Sequence, residues 1–292
     1  MEFPNVGVIG AGTIGTEVAQ CLAQAGHRVV LVDVETGILD RARSAIGENL
    51  RYASLFDAGV REASHAGILS RIDCTTDYGL LADIDLVVDN STESRPIKEE
   101  VFTRLDRICP PDRILAANTS AISITRLAGA TRRPDRVIGV HFMNPVFRKP
   151  VVEVVKGWHT SDATVEAVQG FLGGLGKRGV VTNDMPGFVS NRVLMLAINE
   201  AISVVHDRVA TPADVDEIFV KCLAHEMGPL ATADLIGLDT VLRTLDVLNE
   251  SYGDGRFRAC PLLRQMVDAG LRGRKSGKGF FDYSGQQGLR WT

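Results

Sequence analysis

The sequence predicts a doubly wound α/β domain on a parallel sheet, followed by a smaller all-α domain. Three observations carry this expectation: short apolar runs alternate with longer amphipathic segments as far as residue 184, a chain breaker follows, and helical periodicity dominates beyond it. The apolar runs fall at 6–9, 29–33, 86–89, 114–117 and 137–140. Short strands without a polar face imply a sheet covered by helices on both sides, which is the habit of parallel sheets.

The breaker is Asp184-Met185-Pro186-Gly187. Proline cannot continue a strand ladder and glycine allows a sharp change of direction. It divides the chain into domains 1–184 and 185–292. In the second, 188–205 has helical periodicity, and Thr211-Pro212-Ala213-Asp214 reads as an N-cap followed by proline at the first helical position. Further helical patterns cover 215–223, 232–251 and 261–269, before a glycine-rich stretch at 273–283.

Composition narrows the function classes. With 292 residues, 45% hydrophobic and 23% charged, the chain is an ordinary globule long enough for two domains. A net charge of -4 without a basic stripe argues against a nucleic-acid partner, since neutralising phosphates needs clustered positive charge. The five cysteines are odd in number and lack metal-ligand spacing, so they read as reduced thiols and no metal is expected. The first strand begins too early to leave room for a signal peptide, and no apolar stretch approaches the roughly 18 residues of a membrane span. A cytoplasmic protein without a membrane partner is expected.

The first run ends in Gly10-Ala11-Gly12-Thr13-Ile14-Gly15, which opens a helical pattern. In a dinucleotide fingerprint Gly10 allows the tight turn, Gly12 lets backbone approach a pyrophosphate, and Gly15 allows close helix–strand packing. The helix N-terminus adds donors and a positive dipole end. A glycine loop alone is weak, but the next strand ends at Asp33, eighteen residues after Gly15. A carboxylate there suits the adenosine ribose hydroxyls and repels a 2′-phosphate. The expectation is a Rossmann-like domain that binds NAD.

Asn118 to Thr125 (NTSAISIT), His141 to Pro145 (HFMNP), Val151 to Val155 (VVEVV), Pro186 to Arg192 (PGFVSNR), Met227 to Leu230 (MGPL), Asp234 to Asp239 (DLIGLD) and Lys275 to Phe281 (KSGKGFF) together resemble the 3-hydroxyacyl-CoA dehydrogenase family, in order and almost end to end. The resemblance implies that His141 is the catalytic acid/base, that Glu153 is its partner, and that Ser120 and Asn191 contact the reacting oxygen. It also implies that Glu93, Lys98, Asn144 and Lys275 lie along the cofactor. The chemistry agrees: oxidising an alcohol needs a group that removes the hydroxyl proton, and histidine ordinarily titrates near neutral pH. A carboxylate beside it fixes the tautomer and stabilises the imidazolium, while hydroxyl and amide donors serve the oxygen.

Each residue also has a plainer reading. His141 suits a satisfied structural histidine, Asn191 a cap for the helix beginning near Phe188, and Ser120 a local turn. Lys98 and Lys275 suit solvated surface charges. Glu153 in an apolar strand is harder to explain away, because a buried carboxylate requires a partner.

The substrate is less sharply indicated. CoA-using relatives carry a lysine-rich helix after the second strand, whereas here no lysine precedes Lys98 and the corresponding position falls on Phe56. Arg41, Arg43, Arg51 and Arg61 are available in its place. Arg148 and Lys149, between Pro145 and Glu153, suit a polar acyl group or an acidic carrier protein. Two substrates therefore stand side by side: a short-chain 3-hydroxyacyl-CoA, and a hydroxyacyl or glyceryl thioester on an acyl carrier protein of polyketide extender-unit synthesis. The alternatives are a dehydrogenase of free hydroxy acids resembling the carnitine and gulonate enzymes, and a non-catalytic NADH-binding protein. The β-hydroxyacid dehydrogenase reading needs a lysine at the start of the interdomain helix, and none occurs from Arg178 to Val220. The apolar faces of the helical domain predict a homodimer.

Overall fold

The computed structural model describes residues 3–53 and 64–286, so Phe56 and Arg61 lie outside the described residues. The chain forms two compact units, Met1–Met185 and Pro186–Thr292.

In the first unit the described strands are β1 (Asn5–Ile9), β2 (Arg28–Val32), β3 (Ile72–Thr75), β4 (Leu86–Asp89), β5 (Ile114–Ala117), β6 (Val137–His141), β7 (Val151–Lys156) and β8 (Arg178–Asn183). They form one sheet in the order β3-β2-β1-β4-β5-β6-β7-β8. Helices α1 (Thr13–Gln24), α2 (Thr36–Ala53), α3 (His65–Leu69), α4 (Arg95–Ile108), α5 (Ile124–Gly129) and α6 (Asp162–Gly174) connect them. The core holds Val6, Val8 and Leu31 from the strands and Val18, Leu22 and Ile46 from the helices. Chain order reverses at β1, which has β2 on one side and β4 on the other. That switch point opens a crevice at the carboxyl ends of β1 and β4.

The sheet departs from the all-parallel expectation at one place. β6 and β7 are antiparallel, with Gly139 opposite Val155, Val140 opposite Val154 and His141 opposite Glu153. A parallel neighbour needs a crossover of about a dozen residues or more. Residues 142–150 are too few for one, so the chain turns straight back. Helix α6 then supplies a crossover, and β8 returns parallel to β7.

A buried cation closes the end of α4. Arg133 is 5% exposed and donates to the carbonyls of Asp106 and Cys109, both at 2.8 Å, and to that of Pro110. These carbonyls have no further helical turn to bond, and the helix dipole favours a cation there. Asp106 neutralises the charge, taking Arg133 Nε and Arg132 Nε at 2.9 Å each. Burial pushes the Asp106 carboxyl up, and the hydrogen bonds from both arginines more than offset it, so it lies below the ordinary carboxylate range.

The second unit comprises α7 (Ser190–His206), α8 (Pro212–Lys221), α9 (Pro229–Ile236), α10 (Leu238–Tyr252) and α11 (Pro261–Asp268). Thr211 and Asp214 form a full capping box at α8. The periodic stretch 232–251 is broken into two helices at Gly237, whose φ of +99° lies in the left-handed region. Two buried aspartates organise this unit. Asp216 accepts the amides of Leu230 and Ala231 at 2.9 and 2.8 Å, capping α9 from a distance. Asp234 is fully buried and accepts Phe280 N, Phe281 N and Tyr283 Oη at 3.0, 3.0 and 3.1 Å. A Cβ at Gly279 would sit 1.9 Å from the Asp234 carboxylate, which explains the glycine at that position. Among the described residues no helix is long and apolar enough to cross a membrane, and no cluster of metal-binding side chains occurs.

Replacing Arg133 with alanine removes the buried one of the two cations on Asp106 and leaves the Cys109 and Pro110 carbonyls without their donor, at an expected cost of about 3–5 kcal/mol. The linkage has a definite sign. Because the folded pKa of Asp106 is depressed, its contribution is present above the unfolded carboxylate value of about 4 and is lost as pH falls through the folded value. In urea unfolding, the stability gap between the natural protein and Asp106→Asn should therefore be wide at pH 7 and narrow below about pH 4. A gap independent of pH would contradict the assignment.

Candidate active site

The glycine loop connects β1 to α1 at the switch point. Gly10 has a φ of +87°, and a Cβ there would lie 2.6 Å from the Asn90 carbonyl oxygen. One at Gly15 would lie 1.8 Å from the Gly10 carbonyl oxygen. Both glycines are required by the fold itself. Gly12 differs, because a Cβ there meets nothing within 4 Å. Gly12 is also the N-cap of α1 and provides no side-chain hydrogen bond, so Thr13 and Ile14 begin a helix whose first amides have no side-chain cap. At the end of β2, Asp33 accepts Ala11 N and Val34 N, each at 2.7 Å. These bonds aim its carboxylate across the glycine loop and leave lone pairs for further donors. Open space above Gly12, uncapped helix amides and a held carboxylate fit the pyrophosphate and ribose of a dinucleotide.

Further along the same sheet edge, His141 ends β6 with Glu153 opposite it on β7. Their rings and carboxylate meet at 2.9 Å, Nδ1 to Oε2, with side chains 7% and 11% exposed. On the other face of the imidazole, Ser120 Oγ lies 3.2 Å from Nε2. The Ser120 loop is held by Glu93, whose Oε1 accepts Thr119 Oγ1 at 2.5 Å, Ser120 N at 3.0 Å and Ala121 N at 3.1 Å. Ser120, His141, Glu153 and Glu93 are thus one connected group.

Sequence reasoning missed the frame behind it. Asn90 and Asn118 follow β4 and β5, and their amides meet at 2.7 Å. Asn118 Oδ1 also accepts Phe142 N at 3.1 Å, so one asparagine joins the ends of three adjacent strands beside His141. Asn90 is signalled only by its place directly after an apolar run, whereas Asn118 opens the NTSAISIT motif but was given no role there. Thr119 is buried and was likewise not singled out.

Of the two lysines, Lys98 departs from its plainer reading and Lys275 does not. Lys98 is fully buried, its Nζ 2.7 Å from Asp89 at the end of β4, where Asp89 also accepts Ser91 N at 2.9 Å. It is an internal charge behind the loop after β4 and not a solvated one. Lys275 is 46% exposed and ion-paired with Asp239 at the start of α10, its chain lying over Gly237. Asn144 is exposed on the connection after β6. Asn191 is the second residue of α7, and Val189 occupies the N-cap position, so Asn191 is not the helix cap. Asn191 and Lys275 belong to the second unit.

A switch-point glycine loop with an acidic second strand, followed by a paired histidine and carboxylate, defines a dinucleotide-binding protein of the dehydrogenase class. Comparison with known proteins agrees along the chain. Residues 5–185 match the family model for the 3-hydroxyacyl-CoA dehydrogenase NAD binding domain, and 187–283 that for its C-terminal domain. A probable 3-hydroxybutyryl-CoA dehydrogenase of Deinococcus radiodurans is 47% identical over 277 residues, 95% of this chain and 99% of the relative. The 3-hydroxybutyryl-CoA dehydrogenase of Clostridioides difficile is 43% identical, covering 96% and 99% of the two chains. The crystal structure of (S)-3-hydroxybutyryl-CoA dehydrogenase from Ralstonia eutropha superposes with a TM-score of 0.91 at 38% identity, covering 96% and 99%. This chain belongs to the 3-hydroxyacyl-CoA dehydrogenase family. It is an oxidoreductase acting on CH–OH with NAD as cofactor.

The contrast between the glycines can be measured. Gly12→Ala should leave unfolding stability within about 0.5 kcal/mol of the natural protein, because the added methyl meets no protein atom. It should nevertheless weaken NADH binding about tenfold or more by filling the space meant for the pyrophosphate. Gly15→Ala should lose the fold. Undiminished NADH affinity in Gly12→Ala, read by fluorescence titration, would refute this placement.

Proposed function

We propose that the chain oxidises a short-chain 3-hydroxyacyl-CoA to the 3-oxoacyl-CoA, with His141 as general base. The single observation that carries this reading is the His141–Glu153 pair, buried and 2.9 Å apart. With Glu153 accepting from Nδ1–H, the lone pair of the neutral imidazole is left on Nε2, facing Ser120. NAD, when bound, supplies the hydride acceptor. His141 Nε2 takes the hydroxyl proton as the carbon is oxidised, and Glu153 stabilises the resulting imidazolium. In the reverse direction the imidazolium returns that proton to the oxygen.

Ser120 donates a hydrogen bond to the reacting oxygen, with Glu93 holding the Ser120 amide and so the placement of the hydroxyl. Asn191 serves the same oxygen. Gly10, Gly12, Thr13, Ile14, Gly15 and Asp33 hold the dinucleotide, with Glu93, Asn144 and Lys275 along its length, while Lys98, fully buried against Asp89, supports the loop after β4 from behind and does not reach the cofactor itself. The domain of residues 1–184 carries the cofactor, and 185–292 contributes to substrate binding and dimerisation. Exposed Val193, Ile218, Leu223 and Leu235 on the helical unit support a homodimer. Five free thiols and the kinship with bacterial enzymes support a cytoplasmic protein.

The acyl group follows the relatives, whose names specify 3-hydroxybutyryl-CoA. A second reading, a hydroxyacyl or glyceryl thioester on an acyl carrier protein, is favoured by exposed Arg148 and Lys149 beside the site, since carrier proteins of acidic surface would meet them.

Initial NADH formation, measured separately with 3-hydroxybutyryl-CoA, a glyceryl-loaded carrier protein and free 3-hydroxybutyrate, should be fastest with the first. A clear preference for the carrier protein would transfer the assignment to the second reading, and a preference for the free acid would defeat both. His141→Ala should lower kcat about 10²–10⁴-fold while preserving NADH affinity. Turnover within twofold of the natural protein would remove His141 from its role. Sedimentation at micromolar concentration should give twice the chain mass of 31.6 kDa.

A further inference from the structure

The connection between β6 and β7 runs from His141 to the strand that carries Glu153. Asn144, Phe147, Arg148, Lys149 and Pro150 point outward, yet Val146 is only 1% exposed and packs into the core. Two buried charges hold its backbone. Glu17 on α1, 3% exposed, accepts Val146 N through Oε2 at 2.5 Å. Lys177, 8% exposed and just before β8, donates to the Val146 carbonyl at 2.6 Å and to the Lys149 carbonyl at 2.9 Å. One residue is therefore gripped at both its N–H and its C=O, by opposite charges from different elements.

We propose that Glu17 and Lys177 are positioning residues that clamp the β6–β7 connection by its backbone and thereby set the affinity for the thioester substrate. The proposal rests on the reading above, in which this connection faces the substrate. Holding a backbone amide needs only a neutral acceptor, and two buried ions are a costly way to do it. Burial does raise the Glu17 carboxyl above its ordinary value, with the Val146 amide and the Lys177 charge pulling the other way, and Glu17 Oε1 has no hydrogen-bond partner. What charged groups add is a stronger and more directional grip on a loop that would otherwise be free to open. Glu17 also stands one turn along α1 from the glycine loop, so the helix that receives the dinucleotide fixes the loop on the substrate side.

The Arg148–Lys149 peptide bond is a built-in reporter, since trypsin cleaves after Arg148 only when the connection opens, and the next basic residue is protected by Pro150. In Lys177→Met, cleavage after Arg148, followed by mass spectrometry, should accelerate about tenfold or more. KM for 3-hydroxybutyryl-CoA should rise about fivefold to tenfold with little change in kcat, and the Kd for NADH should stay within about twofold. Glu17→Gln, which keeps an acceptor for the Val146 amide, should fall between this variant and the natural protein. If the single variants fail to fold, the pair Glu17→Met with Lys177→Met leaves no unpaired charge and should show the same cleavage and KM changes. Cleavage and KM unmoved in a folded variant would overturn the clamp, as would a parallel loss of NADH affinity and melting temperature. His141→Ala separates the two ideas: turnover retained there defeats the proposed reaction, while cleavage at Arg148 still decides the clamp.

Discussion

The candidate site depends on one strand pairing. Because residues 142–150 are too few to cross over the sheet, β7 must run back alongside β6, and that turn sets Glu153 directly across from His141. A one-residue slip would put the carboxylate on the opposite face. In the observed register the two side chains share a hydrogen bond in a nearly dry setting, where neither is easily accommodated alone. The only antiparallel pair of the described sheet is therefore also the one that builds its acid–base group.

Around that pair the protein relies on its backbone ends as much as on its side chains. Strands β1, β4, β5 and β6 all finish at the same edge, and short polar residues just past them interlock: Asn90 with Asn118, Asn118 with the Phe142 amide, Glu93 with the Thr119–Ala121 turn. Buried Lys98 and Asp89 stiffen the loop after β4 from behind. The result is a row of loops with little freedom to shift relative to one another, on which a hydroxyl, an imidazole and a dinucleotide cradle share one rigid support.

How much of this was legible from the sequence follows from how far each signal reaches. The run at 114–117 is wholly apolar and that at 86–89 is apolar up to its closing Asp89, and both became strands at those positions. β8 escaped notice because it is an edge strand with partly exposed residues, and β3 because its four residues carry little pattern. The stretch 232–251 reads as one helix by periodicity; only Gly237, in a conformation other residues resist, divides it. Asp33, His141 and Glu153 were visible because their context is local or because a family pattern marks them. Glu17 was not, since its partner Val146 is 129 positions away and a glutamate on an amphipathic helix reads as a surface residue. Lys98 was read as lying along the cofactor, with a solvated charge as the plainer alternative, and neither reading anticipates a buried amine, because nothing adjacent in the chain announces that it meets Asp89 inside the protein.

The wrapping of residues 273–283 around Asp234 bears on how the helical unit comes into being during synthesis. The groups that satisfy this buried carboxylate lie 46, 47 and 49 positions further along the chain. While they are still unmade on the ribosome, α9 can form, but its aspartate has to stay hydrated or protonated and cannot be sealed inside. The nascent helices thus wait half-assembled, and the unit locks only when the glycine-rich segment emerges to cover them.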